Sequence, residues 1–258
     1  MAKHTPGTVL DIIVFSACGR MGEAVATLAN ESDGFRVAGL VEKPGHPAIG
    51  RAMAAPAVVD RIPPETDPAA IVIAFPDRSG FPHLMKQLAR RRLRLVCGTT
   101  GLTAEDMKTL KRYARSNAVV YDANMSVGIT VLKQVLSATH AMLGSDFDAE
   151  IVESHHRNKR DAPSGTALAL AREIAGAGET VVGRGRRRVR ERGGVHIHSV
   201  RAGGIPGDHS IVFSSEEEVL TLSHRALTRV VFARGALRAA RFLASRSSGL
   251  YSMKNVLE

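Results

Sequence analysis

The sequence predicts an α/β protein: a parallel sheet with helices on both faces, then a smaller α+β domain carrying a mixed sheet. Three observations predict it. Short apolar runs alternate with amphipathic segments through the first half of the chain, the pattern of repeated strand–helix units. Small or polar residues, Ser16, Glu42, Pro76, Gly98 and Asn124, fall after five of these apolar runs. Beyond residue 127 the pattern changes to a long helix and then to strands of period two. The expected division is residues 1–126, completed by 230–258, against residues 127–229.

Residues 9–15 are apolar and read as the first strand. They lead into Ser16-Ala-Cys-Gly-Arg-Met-Gly22 and a helix with Met21, Ala24, Val25, Leu28 and Ala29 on its inner side. Residues 35–41 form a second strand, with Glu42 and Lys43 at its end. Strand, tight turn, helix, strand and then an acid about 20 residues on is the layout of a Rossmann-type dinucleotide-binding unit. Such a turn lets a pyrophosphate approach the helix N-terminus. Glu42 is placed to accept from ribose hydroxyls and Lys43 to hold a 2′-phosphate, so NADPH and NADH both stay open. Serine and cysteine stand at 16 and 18, where the usual fingerprint has glycine. A left-handed backbone there would strain a side chain by about 1 kcal/mol.

Further units follow. Residues 70–75 read as a strand, 76–80 as a turn and 83–91 as a helix. Residues 93–97 are a strand, followed by Gly98-Thr-Thr-Gly101 and a helix over 103–114, where Thr103 and Asp106 approach a capping box. Residues 118–121 are a strand leading to Asp122-Ala-Asn-Met-Ser-Val-Gly128. In an open α/β sheet the ligand crevice lies beyond the carboxyl ends of the strands. The five turns therefore line one edge.

A helix over 129–143 opens the second domain, and 149–153 read as a strand. Next comes Glu153-Ser-His-His-Arg-Asn-Lys-Arg-Asp-Ala-Pro-Ser-Gly-Thr166, then a helix with Ala167, Leu170, Ala171 and Ile174 at helical spacing. The charged run reads as a strand-to-helix loop. Its histidines give or take a proton near neutral pH, and Lys159 is a donor with a fixed positive charge. Asp161 or Ser164 caps the helix. The free amides at Gly165 and Thr166 make a carboxylate or phosphate site at the positive end of the helix. Residues 195–201 alternate with period two, placing His196 and His198 on one face, which reads as solvated or interfacial. Strands over 210–214 and 219–224 follow, and a helix over 229–243 returns to the first domain.

The formal net charge is +10, from 35 Lys and Arg against 25 Asp and Glu. That implies anionic company: nucleic acid, a phosphorylated cofactor or a dicarboxylate. Aromatic residues are 4% with no Trp, which supplies stacking platforms for single strands poorly. Nucleic acid is therefore not an expected partner, and the basic run 184–192 reads as an exposed loop. A basic nucleic-acid-binding protein on this scaffold would use that loop, but it gives no reason for residues 153–166. Two cysteines make neither a disulfide framework nor a zinc spacing, and no metal is expected. No apolar run reaches the length of a membrane span, and residues 1–8 lack a secretory core. The expectation is a cytoplasmic protein without a membrane partner.

The run from Glu153 to Ala167 resembles the Glu-x-His-His-x-x-Lys-x-Asp-x-Pro-Ser-Gly-Thr-Ala pattern of the 4-hydroxy-tetrahydrodipicolinate reductase (dihydrodipicolinate reductase) family. Gly-Arg-Met-Gly at 19–22, Gly-Thr-Thr-Gly at 98–101 and Ala-Asn-Met-Ser-Val-Gly at 123–128 extend the likeness. So do Arg201-Ala-Gly, Gly207-Asp-His209, His224, Arg229, Phe232-Ala and Gly235-Ala. The resemblance implies a nicotinamide-dependent oxidoreductase of lysine and diaminopimelate synthesis, acting on a small dicarboxylate with NADPH or NADH. It implies a homotetramer built through the second domain and a hinge between the two domains, whose closure is expected to bring the 155–166 loop over the nicotinamide. By position, Ser16, Ala17, Cys18, Gly19, Arg20 and Met21 would cradle the pyrophosphate. Glu42 and Lys43 would meet the adenosine ribose and its phosphate. Gly98, Thr99 and Thr100, with Asp122, Ala123, Asn124 and Met125, would line the nicotinamide side. His155 would be the proton donor or acceptor and Lys159 the second acid, while His156, Gly165 and Thr166 would hold substrate carboxylates.

Overall fold

A computed structural model describes residues 9–51, 56–89, 91–175, 180–182 (backbone only) and 194–258. The chain forms two compact units, one running through Ser126 and taking in Val230–Glu258, the other Val127–Arg229. The basic run at 184–192 lies outside the described residues.

The first unit is a seven-stranded sheet. Its strands are β1 (Leu10–Phe15), β2 (Phe35–Val41), β3 (Val58–Val59), β4 (Ile71–Ala74), β5 (Arg94–Cys97), β6 (Ala118–Tyr121) and, from the end of the chain, β12 (Gly249–Tyr251). Their order is β12-β6-β5-β4-β1-β2-β3, and every pairing is parallel. Parallel strands are buried on both faces, which explains the unbroken apolar runs. Ile12, Val14, Ile71, Val72, Ile73, Leu95 and Val96 are all fully buried. On one face Phe81, Leu84 and Leu88 of α2 (Phe81–Leu88) and Leu110 of α3 (Ala104–Ala114) pack on Ile13, Phe15, Val72 and Leu95. α1 (Arg20–Asn30) packs with α6 (Val230–Leu243), and α6 also lies against β4, β5 and β6. A short α7 (Met253–Leu257) closes the unit.

Two local features differ from expectation or sharpen it. α2 starts at Phe81, because the Asp77 carboxylate caps the 3₁₀ turn Arg78–Gly80 and accepts from Gly80 N at 2.9 Å. That turn runs straight into the helix, which ends at Leu88 rather than 91. α3 has the full capping box: the Asp106 carboxylate accepts from Thr103 N at 2.9 Å, and Thr103 Oγ1 accepts from Asp106 N at 3.2 Å.

The second unit is a five-stranded mixed sheet of order β11-β10-β7-β9-β8. Its strands are β7 (Asp148–His155), β8 (Thr180–Val182), β9 (Val195–Arg201), β10 (Asp208–Ser214) and β11 (Val219–Arg225). β7 is central, antiparallel to β10 and parallel to β9. α4 (Val127–Leu143) and α5 (Gly165–Ala175) cover one face, where Leu132, Leu136, Leu170 and Ile174 meet Ile151, Ile197, Ile211 and Phe213. β7 is longer than the sequence suggests. Ala149, Ile151, Glu153 and His155 alternate as buried residues, so the strand runs on past Glu153 and His155 belongs to it, not to a loop. Of the solvated or interfacial face expected for His196, the solvated alternative does not hold. His196 is 3% exposed, with neither ring nitrogen hydrogen-bonded, while His198 lies 2.7 Å from the Glu150 carboxylate.

Candidate active site

The five predicted turns sit at the carboxyl ends of β1, β2, β4, β5 and β6, and so on one edge of the parallel sheet. The β1–α1 turn is held by its own backbone. Gly19 N donates to Ser16 O at 3.1 Å and Ala17 N to Val41 O at 3.1 Å. Ser16 has φ +61°, the only left-handed non-glycine residue among those described. It sits where the fingerprint has glycine, at a cost of about 1 kcal/mol. Gly22 has no room for a side chain, since a Cβ there would lie 2.3 Å from Ser16 O. Close approach of turn and helix is what a pyrophosphate cradle requires.

Glu42 is buried, and its carboxylate accepts from Cys18 N (3.2 Å) and from Lys43 N (2.9 Å). The acid thus ties the end of β2 to the turn. A cleft of 510 Å³ opens here, lined by Ser16, Cys18, Gly19, Glu42, Lys43, His46, Phe75, Pro76, Asp77 and His83 among others. Burial pushes the Cys18 thiol up, and the nearby Glu42 and Glu23 carboxylates add to the shift. Of the other predicted turn residues, Ala17 is buried, Met21 is half-buried and Arg20 is exposed.

The residues after β5 and β6 are outside this cleft. At Gly98 a Cβ would lie 2.1 Å from the Phe75 ring. Thr100 is exposed, whereas Thr99 and Met125 are buried. Asp122 and Asn124 brace their own loop: Asp122 Oδ1 accepts from Asn124 N at 3.2 Å, and Asn124 Oδ1 from Ser126 N at 2.9 Å. Ala123 is half-buried beside them.

The second unit gathers the remaining predicted residues. His155, the last residue of β7, is 8% exposed, and its Nδ1 is hydrogen-bonded to Glu153 Oε2. Glu153 is fully buried. Its other oxygen, Oε1, accepts from Arg201 Nη2 at 2.7 Å and from Ser164 N at 3.2 Å. Burial alone would raise the Glu153 carboxyl. Hydrogen bonds from His155, Arg201 and Ser199 outweigh it and hold the group well below the usual carboxylate range. Arg201 Nη2 also donates to Asp161 O at 2.5 Å, and the Asp161 carboxylate holds Lys159 Nζ at 2.8 Å. The His209 ring meets His155 edge-on at 5.2 Å, and its Nε2 is 3.3 Å from Ser164 Oγ. Burial, then the charge of the His155 ring against it, lowers His209 to about 3, with Glu153 opposing, so it is neutral at physiological pH.

Ser164, not Asp161, caps α5: its hydroxyl accepts from Ala167 N at 3.1 Å. The amide end of α5 at Gly165 is exposed, with open space around its Cα, and Thr166 and His156 are half-buried nearby in the chain. An exposed helix N-terminus suits a carboxylate. Glu153, Arg201 and His209 were given no role by the sequence, and Ser164 only that of a cap. The sheet register assembles them, pairing His155 with Arg201 and Glu153 with His209.

Two groups have metal-ligand chemistry among the described residues: Cys18 with Glu42 and His46, and Glu153 with His155 and His209. In the second, the Arg201 guanidinium already neutralises the carboxylate. In the first, both Glu42 oxygens take backbone amides.

A Rossmann-type unit with a glycine-packed turn, joined to a mixed-sheet unit carrying a buried histidine and a lysine, defines a two-unit dinucleotide-dependent oxidoreductase. The chain belongs to the dihydrodipicolinate reductase family. The family described as "Dihydrodipicolinate reductase, N-terminus" matches residues 10–125, and "Dihydrodipicolinate reductase, C-terminus" matches residues 128–257. The chain is 37% identical over 255 residues to the 4-hydroxy-tetrahydrodipicolinate reductase of Caldanaerobacter subterraneus subsp. tengcongensis, covering 97% of this chain and 99% of that protein. It is 40% identical over 263 residues to the enzyme of the same name from Rubrobacter xylanophilus, covering 96% and 98%. The dipicolinate-bound dihydrodipicolinate reductase from Paenisporosarcina sp. TG-14 has the same fold, with TM-score 0.71 at 22% identity, over 96% of this chain and 99% of that one.

Proposed function

We propose that this chain is a 4-hydroxy-tetrahydrodipicolinate reductase of lysine and diaminopimelate synthesis. Its substrate, a reduced nicotinamide dinucleotide and a proton would give tetrahydrodipicolinate, the oxidised dinucleotide and water. The observation that carries the reading is the buried His155, held at Nδ1 by Glu153, in the same unit as Lys159 and the open amide end of α5. A ring with two carboxylates needs cations and free amides to hold it and a proton donor to complete its reduction.

The dinucleotide supplies hydride when bound. The turn Ser16–Met21 cradles its pyrophosphate, Glu42 meets the adenosine ribose and Lys43 favours a 2′-phosphate. Gly98, Thr99, Thr100 and the 122–125 loop line the nicotinamide side, with Thr99 and Met125 acting through their backbone because their side chains are buried. In the second unit Gly165, Thr166 and His156 hold the carboxylates. His155 delivers the proton and Lys159 acts as the second acid, a contribution of about 10²- to 10⁴-fold for a well-placed group. The second unit also supports the homotetramer: Val152, Val200 and Val219 are exposed on the sheet face opposite α4 and α5.

The test is loss of absorbance of reduced dinucleotide, with substrate generated in place by the preceding synthase from pyruvate and aspartate semialdehyde. Substrate-dependent oxidation is expected. Folded protein that oxidises neither NADPH nor NADH would rule the reading out.

A further inference from the structure

Glu153 is a strand residue with a fully buried carboxylate, and its two oxygens have different partners. Oε2 faces His155 Nδ1, while Oε1 takes Arg201 Nη2 and Ser164 N. The same Arg201 nitrogen reaches the Asp161 carbonyl at 2.5 Å, and the Asp161 side chain holds Lys159 at 2.8 Å. We propose that Glu153 is the positioning residue for both acids, fixing His155 directly and Lys159 through Arg201 and Asp161. This rests on the roles given to His155 and Lys159 above.

An ionised carboxylate only accepts, so the proton between Glu153 and His155 belongs to Nδ1. Nε2 is left as the nitrogen that exchanges protons with substrate. It faces Gly207, where a Cβ would come within 3.0 Å of it. The same bond to Glu153 fixes the plane of the ring, and the His209 ring packs edge-on against it at 5.2 Å. On the other side Arg201 Nη2 donates both to Glu153 Oε1 and to the Asp161 carbonyl. A lysine side chain is one atom shorter and sets its ammonium back from both acceptors. The loop turn carrying Asp161, and with it Lys159, is thereby referred to the same buried carboxylate.

A merely structural Glu153 would pin β7 to β9 and leave the ring's protons alone. Glu153→Gln separates the two roles. Its oxygen can keep Arg201 and Ser164, which places the amide NH₂ against His155 Nδ1 and moves the ring proton to Nε2. The expected result is a fall in kcat of about 10²- to 10⁴-fold, with dinucleotide affinity and melting temperature near those of the parent. ¹⁵N NMR of the His155 ring should show the Nδ1–H tautomer in the parent enzyme and the Nε2–H tautomer in the variant.

For the other arm, Arg201→Lys should lower kcat without altering the His155 tautomer, and should cost little more in a Lys159→Ala background. Additive losses there would remove the Arg201–Asp161 link. Folded Glu153→Gln within about threefold of parent turnover would overturn the proposal. So would an Nε2–H tautomer in the parent enzyme, a measurement that does not depend on any variant folding. His155→Ala, run alongside, separates the failures. If it turns over normally, the catalytic assignment itself falls. If it is inactive while Glu153→Gln is not, only the positioning role falls.

Discussion

Gly22→Ala tests the dinucleotide turn from its geometry. The added Cβ would stand 2.3 Å from Ser16 O and 2.7 Å from both Ala17 Cα and Ala17 O. Real Cβ atoms essentially never come within 3.0 Å of such neighbours, so turn and helix must part by at least 0.7 Å, from 3.0 less 2.3. All three neighbours are backbone, so no side chain can rotate to relieve the clash. Overpacking of this kind costs about 1–3 kcal/mol, and the backbone contacts argue for the upper end. If the cost appears in stability, the melting temperature should drop by roughly 5–10 °C for a chain of this size. If it appears in binding, dinucleotide Kd should rise by up to about 100-fold. Calorimetry and quenching of dinucleotide fluorescence read the two. Gly165→Ala is the stability control, since a Cβ there meets nothing within 4 Å. Unchanged melting temperature and unchanged dinucleotide affinity in Gly22→Ala would refute the reading of the turn.

Other perturbations reach different parts of the account. His155→Ala and Lys159→Ala should each lower kcat by about 10²-fold or more with little change in dinucleotide affinity, and steady-state kinetics with near-normal turnover would remove that residue from catalysis. Lys43→Ala should weaken NADPH more than NADH, and equal losses by titration would sink the 2′-phosphate role. Stability should fall in acid because of His209. The unfolded chain takes its proton near the ordinary 6.5 and the folded chain only near 3. Between those values the unfolded state binds more protons, so stability drops as pH falls, by about 1.4 kcal/mol per pH unit at most. Glu153 acts in the same direction below its ordinary 4.5, since its folded carboxyl is depressed. His209→Phe should flatten the limb between 6.5 and 4.5 in denaturation curves, and an unchanged limb would count against this assignment.

The first unit was legible because its physics is local. Apolar runs such as Ile71–Ala74 must be strands buried on both faces, and small residues after them mark the edge. Thr103 and Asp106 announced a helix start through chemistry three residues apart. β3 and β12 were not legible, since two or three residues have no period to read and pair only because a neighbouring strand offers an edge. The second unit hid the setting of its site residues for a different reason. His155 continues the inward alternation of Ala149, Ile151 and Glu153, but a polar residue at an inward position looks like the end of a strand. Their partners lie far along the chain, Arg201 at 48 residues from Glu153 and His209 at 45 from Ser164, so only the sheet register brings them together. His196 misled in the same way: period two showed that it shares a face with His198, but not that its own end of that face is covered.

The central claim is reduction of a dicarboxylate ring by hydride from the nicotinamide. The direct measurement is mass spectrometry of the product formed with dinucleotide carrying deuterium at the transferable position of the reduced nicotinamide. The account predicts tetrahydrodipicolinate carrying one deuterium, formed in step with dinucleotide oxidation. Unlabelled product, or no product from folded enzyme with both substrates present, would contradict it.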